Sequence, residues 1–295
     1  MTGASSFDEA SVERALRQIG ARFDPTVLAE TRALYRPPVA ELPWAGRPVV
    51  EDVAYGPAAR HRIDIYPTDA ADAPVMLFLH GGGFVGGDKR GDPIFYGNVG
   101  RYFAAHGYLT ILANYRLAPE SVWPSGNEDV AAILSWIDRH AAEHGGDAGR
   151  IVMIGQSAGA AHLAGYLFDP RWQGHANKAV RAVALLSGFY RAKEPMYEGP
   201  RLYIGEDRAH WQDRSPAAHV GPDHPPLMLS VAELDPAQIA DQSFDLATAI
   251  NAADGQPPEF HWFAGHNHVS TVHGLGLGRD SVGRTLRDFA ARHLR

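Results

Sequence analysis

Six stretches of this chain, residues 75–79, 109–113, 151–154, 180–186, 227–231 and 260–263, are apolar almost without a break. A strand with one face in water alternates polar and apolar side chains. A strand covered on both faces does not, so runs of this kind point to a parallel sheet with helices on either side. The intervening segments fit: 94–106, 127–144, 160–168 and 237–253 carry helical patterns, and 281–294 gives a last helix. Upstream, Val49–Tyr55 and Arg62–Tyr66 alternate instead, on either side of a Gly56-Pro57 turn, which predicts two antiparallel strands at the start. The expected architecture is one α/β domain with a doubly wound, mostly parallel sheet of about eight strands, antiparallel only at its first strands.

Two segments fall outside that alternation. Residues 8–36 read as a helical pair: Val12, Ala15, Leu16 and Ile19 share a face, Gly20 breaks the pattern, and Asp24-Pro25 supplies an N-cap followed by proline at the first helical position. Pro37-Pro38 should end the second helix, and 43–48 reads as a linker. Residues 1–45 therefore form an N-terminal helical segment and 46–295 the main domain. Residues 190–226 have few helix or strand signals but several aromatics, and a loop of that length in a compact domain is commonly a lid or binding loop. The two segments are expected to roof a pocket, the alternative being that they pack on the flank of the sheet.

Composition narrows the chemistry. Hydrophobic residues make up 45% of the 295, ample for a large core, and a net charge of −7 with scattered Lys and Arg offers no basic face to nucleic acid or an anionic membrane. The absence of cysteine removes disulfides, thiolate metal sites and a cysteine nucleophile. No apolar stretch reaches transmembrane length, and Asp8 and Glu9 stand where a secretory signal needs a basic and then an apolar run. A soluble cytoplasmic protein is the expectation.

Chemistry concentrates at Ile151–Gly159, Ile-Val-Met-Ile-Gly-Gln-Ser-Ala-Gly. A strand running into Gly-x-Ser-x-Gly and then into small helix-forming residues lifts the serine hydroxyl off the sheet edge in a strained conformation. That hydroxyl is a weak nucleophile at neutral pH and needs a base, usually histidine, steadied by an acid. Ligand sites of open α/β sheets lie at the carboxyl ends of the strands. There, 227–231 leads to Glu233 and Asp235, and 260–263 leads to His266 and His268, with His261 inside the strand. Position alone leaves Glu233 beside Asp235 and His266 beside His268. Asp235 before Pro236 also suits a helix N-cap, and a metal reading of the histidines, His273 included, lacks an evident further ligand. Upstream, His80-Gly81-Gly82-Gly83-Phe84 follows the 75–79 strand, so the N–H groups of Gly82 and Gly83 can converge with that of Ala158 on an oxyanion, each such donor contributing about 3 kcal/mol to a transition state. A phosphate-cradling loop is disfavoured, because no P-loop lysine and hydroxyl follow in register.

Taken together, His80-Gly81-Gly82-Gly83-Phe84, Gly86-Gly87-Asp88, Asn114–Glu120, Gly155-Gln156-Ser157-Ala158-Gly159, Glu233-Leu234-Asp235-Pro236 and Gly265-His266-Asn267-His268 resemble the hormone-sensitive-lipase-like carboxylesterases of the α/β-hydrolase superfamily. The resemblance covers roughly residues 45–295 and implies the α/β-hydrolase fold with a small helical lid. It implies Ser157 as nucleophile, Asp235 as acid, His268 rather than His266 as base, and Gly82, Gly83 and Ala158 as oxyanion donors. It also implies that Arg116 and Glu120 lie in buried polar contacts. Phe84, Val85, Tyr190 and Trp211 are candidates for the pocket wall.

Two departures stand out. Ala160-Ala161-His162 follows the serine turn where the family often has a further glycine, similar to kynurenine formamidase-like hydrolases, and 190–226 is short for a full lid. The implied activity is hydrolysis of small to medium carboxylic esters through an acyl-enzyme, without metal or organic cofactor. The alternatives are an arylformamidase-type amide hydrolase and a non-catalytic ligand receptor on the same scaffold. The partner is a small-molecule ester, and a homodimer is left open.

Overall fold

The computed structural model describes residues 7–44, 48–92, 94–172 and 178–295. In chain order its elements are α1 (Glu9–Ile19), α2 (Pro25–Ala40), β1 (Val50–Ala54), β2 (Arg62–Tyr66), β3 (Ala73–Leu79), α3 (Gly97–Ala105), β4 (Leu109–Ala113), α4 (Ser125–His140), β5 (Gly146–Gln156), α5 (Ala158–Phe168), β6 (Val180–Leu186), α6 (Glu198–Ile204), β7 (Leu227–Ala232), α7 (Ala237–Asp254), β8 (Glu259–Phe263), α8 (Ser270–His273) and α9 (Ser281–His293). The strands form one eight-stranded sheet in the order β1-β2-β4-β3-β5-β6-β7-β8. β2 pairs antiparallel with β1 and β4, and every other pairing is parallel. The parallel part of the sheet follows the apolar runs, and its antiparallel start lies at the two stretches expected to form antiparallel strands around Gly56-Pro57.

Period-two alternation explains why those runs are unbroken. Val75, Leu77 and Leu79 of β3 enter one apolar cluster, with Val130 and Ile133 of α4, Leu163 of α5 and Leu246 of α7. Met76 and Phe78 enter the other, with Val99 and Phe103 of α3 and Leu286 and Phe289 of α9. The central strands thus contribute to two cores at once and neither of their faces meets water, whereas the edge strands β1 and β8 are partly exposed. Among the described residues no helix is long and apolar enough to cross a membrane.

Element ends differ from expectation where local bonds or tertiary packing override pattern. α2 does not stop at Pro37-Pro38 but continues to Ala40. Its buried residues, Val27, Thr31, Tyr35 and Val39, recur every four positions, and Val39 in the last turn completes a stripe packed with Leu16 and Tyr35. Burying that side chain outweighs the bonds two prolines remove from a helix end. α3 begins at Gly97 rather than at 94, because the Asp92 carboxylate accepts the N–H groups of Ile94 and Phe95 and holds them in a turn. Residues 190–226 contain α6 and short 3₁₀ turns at Arg208–His210 and Pro216–Ala218. Pieces this brief are shorter than the windows over which periodicity registers, and the same applies to α8. The expected boundary at 45/46 and part of the 43–48 linker lie outside the described residues. Arg116 is partly buried and donates to the carboxylates of Asp129 (2.8 Å) and Glu128 (2.6 Å), whereas Glu120 is exposed, contrary to expectation.

Candidate active site

β5 ends at Gln156, and Ser157 follows with φ 55° and ψ −119°, a left-handed conformation for a residue with a side chain. The turn persists because its surroundings fix it. The Ser157 N–H donates to Leu186 O of β6 at 2.8 Å, and α5 starts one residue later. A Cβ on Gly159 would lie 2.2 Å from Leu79 O, so only glycine lets α5 approach β3 this closely. Ser157 remains partly exposed at the carboxyl end of the sheet, while every residue of α5 is buried.

Two loops from later strand ends converge on it. His268 Nε2 lies 2.9 Å from Ser157 Oγ, and His268 Nδ1 lies 2.8 Å from Asp235 Oδ1. The two contacts are satisfied together when Nδ1–H donates to the carboxylate and Ser157 O–H donates to Nε2. Asp235 also accepts from Ser187 Oγ at 2.6 Å and from Ala232 N at 2.8 Å, both on Oδ2. Its carboxylate is therefore fixed at both oxygens, and it does not cap α7, whose N-cap is Pro236 with no side-chain bond. Gln156 Nε2 donates to His268 O at 2.9 Å, tying the His268 loop to the strand that carries the serine.

The competitors are occupied elsewhere. Glu233 pairs with Arg17 of α1, with Nη2 2.9 Å from Oε2, and accepts the Gly265 N–H at 2.7 Å; the Arg17 guanidinium holds its carboxyl below the usual range. His266 is hydrogen-bonded to Ser270 Oγ at 3.0 Å, and burial pushes its pKa down to about 4. His261 pairs with Glu259 on β8, and His273 is fully buried beside Phe95.

On the other side of Ser157 runs the glycine loop after β3. Gly82 has φ 146°, Gly83 φ 59° and Phe84 φ 69°. The loop closes on itself, with Val85 N and Gly86 N donating to Gly82 O. The N–H groups of Gly82, Gly83 and Ala158 have no backbone acceptor among the described residues. His80, fully buried, anchors the start of the loop between Gly81 O (2.7 Å) and Asn114 Oδ1 (3.1 Å), and Asn114 Nδ2 donates to Asp88 at 2.7 Å. α6 packs against the loop so closely that a Cβ on Gly199 would lie 1.9 Å from Gly83 O.

The expected pocket wall holds only in part. Phe84 lines an aromatic cleft with Trp123, Ala161, Phe189 and Tyr203. Tyr190 is 0% exposed in the main core, its hydroxyl accepting the Gly188 N–H, so it lines nothing. Trp211 is buried among Tyr203, Ile204 and Ala161, outside the cleft lining, and Val85 points to solvent. An aromatic in a long connection is as well used by core as by pocket, and residue type does not separate the two.

Ser187 and Phe23 escaped sequence reasoning, and Tyr197 entered it only as one of the aromatics of 190–226 that could roof a pocket. Ser187 stands directly after β6 at φ 47°, a strand-end position beside the elbow. Phe23, in the α1–α2 connection, meets the His268 ring edge to face at 4.6 Å and 71°. Tyr197, just before α6, meets Phe23 at 6.0 Å and 74°. The only available signal for Phe23 was an aromatic directly before the Asp24 N-cap, which reads most simply as a local staple onto its own helix.

Comparison with known proteins bears on the whole arrangement. The BD-FAE family model matches residues 63–173. Esterase LipI of Mycobacterium tuberculosis (strain ATCC 25618 / H37Rv) is 31% identical over 252 residues, which cover 77% of this chain and 74% of LipI. The probable carboxylic ester hydrolase LipM of the same organism is 30% identical over 204 residues, 60% of this chain and 46% of LipM. The chain thus spans about half the length of LipM and of Esterase LipQ (46% and 52%). Among solved structures, a Pyrobaculum calidifontis esterase superposes with a TM-score of 0.72 at 22% identity over 97% of this chain and 99% of that one. An inhibited esterase B from Lactobacillus rhamnosis gives 0.73 at 20% identity over 95% and 96%. These two share the fold.

Proposed function

This chain belongs to the hormone-sensitive-lipase-like esterases of the α/β-hydrolase superfamily, and from that premise we propose that it hydrolyses small to medium carboxylic esters through an acyl-enzyme on Ser157. The observation that carries the reading is the unbroken line of contacts Ser157 Oγ, His268 Nε2, His268 Nδ1, Asp235 Oδ1, at 2.9 and 2.8 Å, beside a glycine loop whose Gly82 and Gly83 N–H groups have no backbone acceptor among the described residues. Ser157 Oγ attacks the ester carbonyl carbon as His268 Nε2 takes its proton. Asp235, held by Ser187 and Ala232, keeps the imidazole oriented and stabilises its cation. The N–H groups of Gly82, Gly83 and Ala158 hold the charge on the former carbonyl oxygen. The C–O bond to the alcohol breaks and His268 returns the proton to that oxygen. Water, deprotonated by the same imidazole, then attacks the acyl carbon and frees the acid and Ser157.

A panel of p-nitrophenyl esters tests the reading. Acetate to hexanoate should turn over with a burst of nitrophenol equal to the enzyme concentration wherever deacylation limits. Asp235→Asn should lower kcat about 10⁴-fold, through the wrong histidine tautomer, while Glu233→Gln leaves kcat within a few fold. Faster turnover of N-formylkynurenine than of any of these esters would move the reading to amide hydrolysis.

A further inference from the structure

The proton that His268 takes from Ser157 is the one it hands to the departing alcohol, so the imidazole must reach that oxygen. On the reading proposed above, the alcohol half of the ester therefore lies on the His268 side of Ser157, next to whatever covers the imidazole. Phe23 covers it, ring edge to ring face at 4.6 Å, and leaves His268 2% exposed. Tyr197 arrives from the opposite segment and meets Phe23 at 6.0 Å. Both rings are half-buried and so keep apolar surface for another group.

Phe23 is also held firmly in place. On one side of it, Arg17 of α1 pairs with Glu233, which in turn accepts the Gly265 N–H. On the other, Thr31 of α2 accepts a hydrogen bond from Asn267 Nδ2 at 2.8 Å, with both residues fully buried. The two anchors fix the helices that flank Phe23 to the loops that carry Asp235 and His268.

We propose that Phe23 and Tyr197 form the subsite for the alcohol half of the substrate, and that the preferred esters carry a flat, apolar alcohol such as a benzyl or aryl group. Flat apolar groups pack best on the faces and edges of such rings, whereas a methyl group is too small to touch both.

The test uses two esters with one acyl half, benzyl butyrate and methyl butyrate, and the full-length chain. Phe23→Ala should lower kcat/KM for the benzyl ester about tenfold, equivalent to about 1.4 kcal/mol, and for the methyl ester less than about twofold. Both esters yield the same butyryl-enzyme, so its hydrolysis, read in single-turnover experiments, measures whatever Phe23→Ala does through the His268 contact, and the loss on the benzyl ester should exceed that part. Phe23→Tyr should keep the benzyl preference. Tyr197→Ala, which leaves both anchors and the His268 contact in place, should show the same selectivity if Phe23→Ala folds poorly. Equal losses on the two esters, or a benzyl-ester loss no larger than the fall in deacylation, would overturn the subsite and leave Phe23 as a prop for His268. Wild-type protein that turns over neither ester and gives no burst would instead defeat the Ser157 reading on which the subsite rests.

Discussion

Asp235 accepts three hydrogen bonds, and only one of them comes from His268. The Ser187 hydroxyl at 2.6 Å and the Ala232 N–H at 2.8 Å hold the second oxygen, so the carboxylate does not rotate out of line with the imidazole. A hydrogen bond to a charged group contributes about 1.5–3 kcal/mol. Ser187→Ala should therefore lower kcat about tenfold or more with little change in KM, measured by steady-state kinetics on a single p-nitrophenyl ester. Ser187 was not legible in the sequence, because serine after an apolar strand is common and its role depends on which loop the fold brings opposite. The convergence of Ser157, Asp235 and His268 was legible for the reverse reason. Each lies at the end of an apolar run, and topology sends parallel strand ends to one edge of the sheet. The choice of Asp235 over Glu233 and of His268 over His266 rested on family resemblance. The structure adds a local reason: Glu233 is engaged by Arg17 and Gly265, and His266 by Ser270.

At the scale of elements, strands were read more accurately than helix ends or connections. Strand runs buried on both faces show themselves in composition alone, whereas the end of α2 depends on Val39 packing with Leu16 of α1, a residue distant in sequence. The N-terminal helices are joined to the site loops by Arg17–Glu233 and Thr31–Asn267, and nothing in a single sequence marks either pair. The buried Thr31–Asn267 bond at 2.8 Å has a measurable consequence. Thr31→Val keeps the shape but leaves the Asn267 amide unpaired, at a cost of about 1–3 kcal/mol. The urea midpoint should fall accordingly. Because Asn267 adjoins His268, kcat should fall with it, while a Val27→Ile change on the same buried face should leave kcat unaltered.

For the molecule as a whole, several histidines are desolvated and so held as neutral groups. Desolvation lowers His80 and His266 to about 4, and His162 and His273 to about 3, from an ordinary value of 6.5. The unfolded chain, with these groups at their ordinary value, takes up protons that the folded chain refuses. Stability is thus complete above about pH 6.5 and declines as the pH falls toward 4, by up to about 1.4 kcal/mol per pH unit for each histidine. Urea titrations at pH 7.5 and 5.5 should show the lower stability at 5.5, and His273→Phe should reduce the difference without removing it, because His80, His162 and His266 remain. The function proposed for the molecule stands on one covalent bond, formed at the serine that follows β5. Acid-quenched protein taken from steady-state turnover of p-nitrophenyl butyrate should gain the mass of one butyryl group, located by peptide mapping at Ser157. Ser157→Ala should show neither adduct nor burst and should lose activity by several orders of magnitude. An adduct at another residue, or full ester turnover by Ser157→Ala, would contradict it.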